Sequence, residues 1–383
     1  MSTVLLKNIG TLVSGDIGHP LLDADSLFIE KGLIQKVGQG LAEAADKVID
    51  CSGTTVSPGF FDTHCHVVLG DFTPRQNQLN YIDSAHHGGV TTFISAGEVH
   101  APGRPTDPAG TKALAMLAHK SFAKIRPGGA KVAGGALILE KGLQEKDFEE
   151  LAGEGVWLVG EIGLGSVKNP EEAAPMVKWA KKNGFKVMMH TGGTSVPGSS
   201  TVTAEQVIAI NPDIVSHING GPTAVSPREI KKLVHETELW LELVHCGNNK
   251  AACIAVEEGK KAGALERFII GNDAPSGTGV VALGILRMIC HVASFCGVAP
   301  AQAIAMATGN AAGAFGLNRG LIAVGREADL VIMDSPMGSV GGDALEALAV
   351  GDIPAVSMVL VDGAVTVNKS RNTPPPARTS CLL

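Results

Sequence analysis

From Pro58 onward the chain repeats one unit: a short apolar run, then a longer segment with helical spacing. The runs are GFFDTHCHV, GVTTFISAG, AKVAGGALIL, GVWLVGEIG, FKVMMHTGG, DIVSHINGG, LWLELVHCG and RFIIGNDAP. Between several of them lie NPEEAAPMVKWAKKNG, TAEQVIAINP, SPREIKKLVHET and KAACIAVEEGKKAG, with acidic or capping residues early and Lys late. Eight strands alternating with helices predict an α/β fold, the parallel (β/α)8 TIM barrel.

The flanks read differently. TVLLKN, GTLVSG, DSLFIEKGLIQKVG and KVIDCSGTTVSPG alternate apolar and polar residues between Gly and Asp, and short strands return at ADLVIMD and VSMVLVDGAVTV. The expected organisation is a barrel over 58–318 and a small β-sandwich-like domain built from both chain ends, 1–57 with 319–370. Residues 371–383 are Pro-rich and predict an extended tail.

The formal charge of −7 and the pI near 5.9 leave no basic patch for nucleic acid, so a small molecule is the expected partner. No run of about 18 uncharged apolar residues occurs and the N-terminus lacks a basic leader, which predicts a soluble cytoplasmic protein without membrane contact. Seven cysteines at irregular spacing fit a reducing compartment better than a disulfide framework.

Barrel chemistry sits at the carboxyl ends of the strands. Those ends carry His64 and His66 on the first strand, Glu161 on the fourth, His190 on the fifth, His217 on the sixth and Asp273 on the eighth. His64-Cys65-His66 alone could be three ligands, a thiol beside its base, or two ligands and a bystander. Residues i and i+2 of a strand share a face, so both histidines point inward and Cys65 outward as a small buried apolar group. Four imidazoles with two carboxylates form a ligand inventory for two divalent cations, Zn2+ or Fe2+, with Mn2+ possible. His100 and His245 also follow strands and are candidates for substrate contact. His86, His87, His119, His235 and His291 fall in helical segments, where packing or surface roles are expected. Cys246 faces away from His245, which argues against a Cys/His dyad.

On these residues the chain resembles the amidohydrolase superfamily. SPGFFDTHCHV is similar to its first-strand signature, GNDAPSG to its eighth-strand aspartate motif, and GLIAVGREADLVIMD to the segment that re-enters the small domain. GDFTPRQ, ISAGEVHAPGRPTDPAGTKALA, HTGGTSVPGSSTVTA, VSHINGGPTA, GNDAPSGTG and NKSRNTPPP narrow the likeness to a branch that opens a carboxylated cyclic enamide. The resemblance spans nearly the whole chain. It implies that His64, His66 and Asp273 hold one metal, that His190 and His217 hold the second, and that Glu161 bridges them. Many members bridge with a carboxylated lysine instead; Lys168 lies beyond the strand end and does not match that position. Asp273 would shuttle the proton, Arg75 would grip the substrate carboxylate, and Ser195 would sit in a hydrogen-bonding loop or lid, or in an ordinary capping turn. The resemblance further implies a homotetramer. Another cyclic amidohydrolase (imidase, dihydroorotase-like or hydantoinase-like), an aminoacylase, or a non-catalytic barrel relative are the alternative readings.

Overall fold

The computed structural model describes residues 3–67, 77–101, 103–194, 200–221, 223–275 and 279–383. Eight parallel strands carry its centre: β1 (Phe60–Cys65), β2 (Val90–Ser95), β3 (Lys131–Ala133), β4 (Leu158–Ile162), β5 (Lys186–Met189), β6 (Ile214–Val215), β7 (Trp240–Val244) and β8 (Phe268–Gly271). Each falls inside one of the eight apolar runs. They pair in sequence order, β1 to β3 in one sheet and β4 to β8 in another. Backbone hydrogen bonds also cross both gaps. Asp273 N donates to His64 O at 2.8 Å and His66 N to Ala274 O at 2.9 Å, while Leu137 and Leu158 pair beyond β3 at 2.9 Å. The architecture is mixed α/β.

Two strands, β3 and β6, are shorter than the other six. β3 stops before Gly134 and Gly135, where added side chains would strike Phe122 and the Ala115 carbonyl. β6 stops because His217 takes φ +34°, which leaves the ladder.

Alternation along the strands separates two apolar layers. Phe93, Val132, Val187, Val215, Leu241 and Ile270 face helices such as Pro108–Phe122, Pro170–Lys182 and Asn249–Ala262. Their neighbours Ile94, Met188, Ile214 and Ile269 point the other way, joining Phe61, Leu158 and the side chains of helix Gly309–Phe315. Full burial of such a side chain contributes about 1.5–3 kcal/mol. Local sequence sets the helix starts. Thr203 and Ser226 each accept from the backbone of the third helical residue, Gln206 and Glu229, whose side chains bond back.

The chain ends form two further sheets around a separate apolar cluster that includes Leu6, Ile29, Ile49, Val56, Ile332 and Leu360. The C-terminal segment is more than an extended arm. Cys381–Leu382 adds an antiparallel edge strand to Lys47–Asp50, and Arg378 makes a forked pair with buried Asp334 at 2.9 and 2.6 Å. Among the described residues, no helix is long and apolar enough to cross a membrane.

Candidate metal centre

The six strand-end residues meet at one place. Strict alternation from inward-facing Phe61 would turn His64 outward, but the β1 register shifts between Asp62 and Cys65. His64 and His66 therefore both face the interior, and Cys65 packs in the outer layer. β4 shifts likewise between Val159 and Ile162, bringing Glu161 in, three residues past Leu158. In β6 the left-handed turn at His217 has the same effect, three residues past Ile214. His190 and Asp273 keep the phase of Met188 and Ile269. Asp273 is itself held at φ +60°, a conformation that costs about 1–3 kcal/mol for a residue with a side chain.

Glu161 divides its two oxygens between the histidine pairs. Oε2 lies 3.4 Å from His64 Nε2 and 3.5 Å from His66 Nε2. Oε1 lies 2.6 Å from His217 Nε2 and 3.7 Å from His190 Nδ1. Asp273 Oδ1 stands on the first side, 3.3 Å from His66 Nε2 and 3.7 Å from His64 Nε2. All six groups are buried.

The hydrogen bonds behind the rings select which nitrogen points inward. His64 Nδ1 donates to Glu242 at 2.7 Å, His66 Nδ1 to the Gly97 carbonyl at 3.2 Å, and His190 Nε2 to the Gly193 carbonyl at 3.3 Å. The opposite nitrogens keep lone pairs, and these converge: His64 Nε2 is 3.3 Å from His66 Nε2, and His190 Nδ1 is 3.1 Å from His217 Nε2. Paired lone pairs need a cation or a proton between them. Among the described residues, His217 Nδ1 is buried with no hydrogen-bond partner. The donor set fits divalent metal ions, with His64, His66 and Asp273 as one cluster and His64, Glu161 and His217 as another.

The charges are mutually dependent. Burial disfavours ionised Glu161, but His64 and His217 hold its carboxyl well below the ordinary carboxylate range. Burial also raises Asp273, and the hydrogen bond from His66 with the fields of His64 and His217 outweighs it, so Asp273 is lowered. His64 and His217 lose by burial and gain more from the carboxylates, Glu161 first, so both rise above the ordinary imidazole value.

Two supporting residues escaped the sequence reading. Glu242 is fully buried and accepts from Thr63 Oγ1 at 2.6 Å as well as from His64; it is the lone charge in LWLELV, two positions from Trp240, which packs on the inner layer. Asp62 lies behind β1, accepting from the backbone N–H of Asn272 at 2.9 Å and from the Tyr81 hydroxyl at 3.3 Å, and burial pushes its pKa up to about 7.

Among the proposed substrate contacts, His100 is exposed and stands edge-on to His66, ring centres 4.9 Å apart. His245 sits elsewhere: burial, then Arg287 and His291 of helix Gly284–Ser294, lower its pKa. On β7 it is Glu242 that reaches the centre. Arg75 and Ser195 lie outside the described residues.

Residues 55–366 match the amidohydrolase family, and the chain belongs to that family. It is a hydrolase. It is 57% identical over 386 residues to the enamidase of Eubacterium barkeri, with 100% of each chain covered. The crystal structure of enamidase, described as a member of the amidohydrolase superfamily, superposes with a TM-score of 0.97 over 100% of both chains. An adenine deaminase of Ruegeria sp. is 26% identical over 82% of this chain and 51% of its own length. The β-aspartyl dipeptidase of Fervidobacterium islandicum, 18% identical with a TM-score of 0.67 over 97% of both chains, shares the fold.

Proposed function

We propose that this chain hydrolyses the ring amide of 6-oxo-1,4,5,6-tetrahydronicotinate, giving 2-formylglutarate and ammonium. The observation that carries the reading is the division of Glu161 between two imidazole pairs, in a chain 57% identical along its whole length to an enamidase. The setting is a closed (β/α)8 barrel over 58–318, supported by the hydrogen bonds across both sheet gaps. The small domain comprises 1–57 and 319–370, with 371–383 as its appended tail. The reading places the enzyme in the cytoplasm as a homotetramer.

His64, His66 and Asp273 would hold one divalent cation and His190 and His217 the other, bridged by Glu161, with Zn2+ or Fe2+ suiting these N/O donors and Mn2+ a further option. Such ions supply Lewis acidity at the carbonyl and acidify the attacking water. Asp273, ionised because its pKa is lowered, takes the proton of that water on a carboxylate oxygen and returns it to the ring nitrogen as the C–N bond breaks. The freed enamine tautomerises to an imine, and a second water releases ammonium and leaves the aldehyde. Glu242 and the Gly97 carbonyl hold the rings of His64 and His66 in the required orientation throughout. His100 lines the approach, and Arg75 and Ser195 complete the substrate contacts.

Loss of the conjugated enamide's ultraviolet absorbance tests this directly. Turnover that disappears on chelation and returns on adding metal supports the proposal. Fully metallated protein that leaves this substrate intact would refute the substrate and redirect the search to other cyclic amides.

A further inference from the structure

Away from the centre, a second set of donors converges in the helical layer. Cys253, on helix Asn249–Ala262, has its Sγ 2.7 Å from Cys296 Sγ and 3.5 Å from Nε2 of His291, on helix Gly284–Ser294. One ligand atom from each of the three lies within 4.8 Å of the others. All three residues are partly exposed, so the cluster is reachable from solvent. None of them touches the six groups of the centre or enters the proposed reaction.

Two features point beyond packing. The sulfurs are 2.7 Å apart, inside the ~3.5–4.0 Å optimum even for smaller carbon atoms and outside the ~2.05 Å of a disulfide bond, so two neutral thiols are crowded there. Burial, reinforced by Cys253, raises the Cys296 thiol and disfavours a bare thiolate. The pair is thus suited to being joined, through a covalent bond or a cation. The imidazole decides between them, since a disulfide has no use for a nitrogen donor and a soft cation does. Surroundings steady the geometry: Phe295 stacks on His291 with centres 5.3 Å apart, and Lys260 Nζ donates to the Cys296 and Gly297 carbonyls at 2.6 and 2.5 Å.

We propose that Cys253, Cys296 and His291 bind one soft divalent cation, zinc by their donor chemistry, as a three-ligand site separate from the catalytic centre. Two thiolates neutralise the ion, with their protons released to solvent. Bonds of about 2.3 Å at tetrahedral angles set the sulfurs about 3.8 Å apart, a separation reached by side-chain rotation of about an ångström. His291 Nε2 exchanges its 3.2 Å hydrogen bond to the Asn249 carbonyl for the metal. The fourth position then falls to water or to that carbonyl oxygen.

Cobalt(II) separates this site from the centre, whose six donors include no sulfur. The full chain, stripped of metal under reducing conditions and reloaded with Co2+, should show thiolate-to-cobalt charge-transfer absorption. Cys253→Ser and Cys296→Ser should each abolish that absorption and lower bound zinc by one ion per chain while hydrolysis continues. His291→Gln, which keeps size and hydrogen bonding, should weaken it. A native protein without the absorption overturns the proposal, as does absorption that survives both serine substitutions. A Cys253–Cys296 cross-linked peptide in protein purified anaerobically overturns it too.

Discussion

Glu242 Oε2 lies 2.7 Å from His64 Nδ1, and neither side chain has any exposed surface. An acceptor so placed fixes the tautomer of the imidazole, and its charge makes the opposite nitrogen a stronger donor. Glu242→Gln keeps the volume and loses the charge. We expect a loss of about 10- to 100-fold in metal affinity or activity, read by chelator competition and steady-state rates. Native values for both would show that His64 is oriented by other means.

Asp273→Asn addresses the proton path. The amide keeps one oxygen where Oδ1 now lies, 3.3 Å from His66 Nε2, but cannot carry a proton between water and nitrogen. Metal content should persist while kcat falls about a hundred- to ten-thousand-fold. A variant near the native rate would remove Asp273 from the chemistry.

Metal uptake should release protons. His64 and His217 have pKa values raised above the ordinary 6.5 by Glu161, so the metal-free site holds protons that a cation must displace. Falling pH favours the protons, and affinity drops. Rising pH strengthens binding, and the gain should continue past pH 6.5, where an unperturbed imidazole pair would level off. Calorimetry in buffers of different ionisation enthalpy counts the protons. Zero release, or affinity flat above pH 6.5, contradicts the charge arrangement described.

A different carboxylate is expected to contribute to acid stability where the chain ends meet β3. Asp362 bonds Lys131 Nζ at 2.7 Å and Arg126 Nη1 at 2.6 Å. Burial raises its pKa, but the two cations outweigh that and lower it below 3.8. A depressed folded-state value stabilises above pH 3.8 and is lost as pH falls through the folded pKa. Asp362→Asn should lower the melting temperature at neutral pH and flatten the native protein's decline below pH 3.8. Parallel melting curves for the two proteins would assign the acid transition to other groups.

The strand order, helix positions and six convergent residues were legible because each rests on a local pattern: apolar runs, helical spacing, and polar groups at strand ends. Less visible was how the side chains come to face one another. Simple alternation places His190 and Asp273 correctly from Met188 and Ile269, but from Phe61, Leu158 and Ile214 it turns His64, Glu161 and His217 outward. Ladder shifts and a left-handed residue correct the phase, and these depend on neighbouring strands. Counting parity from Trp240 would have singled out Glu242 over His245 on β7. Cys253 lies on helix Asn249–Ala262, while His291 and Cys296 lie on and just past helix Gly284–Ser294, about forty residues on, and no local pattern links the two stretches.

Below the centre, Phe61, Ile94, Leu158, Met188, Ile214 and Ile269 pack without exposure against Ala311 and Phe315 of helix Gly309–Phe315. This packing sets a hydrocarbon layer beneath the six donors, which disfavours the passage of a charged molecule on that side.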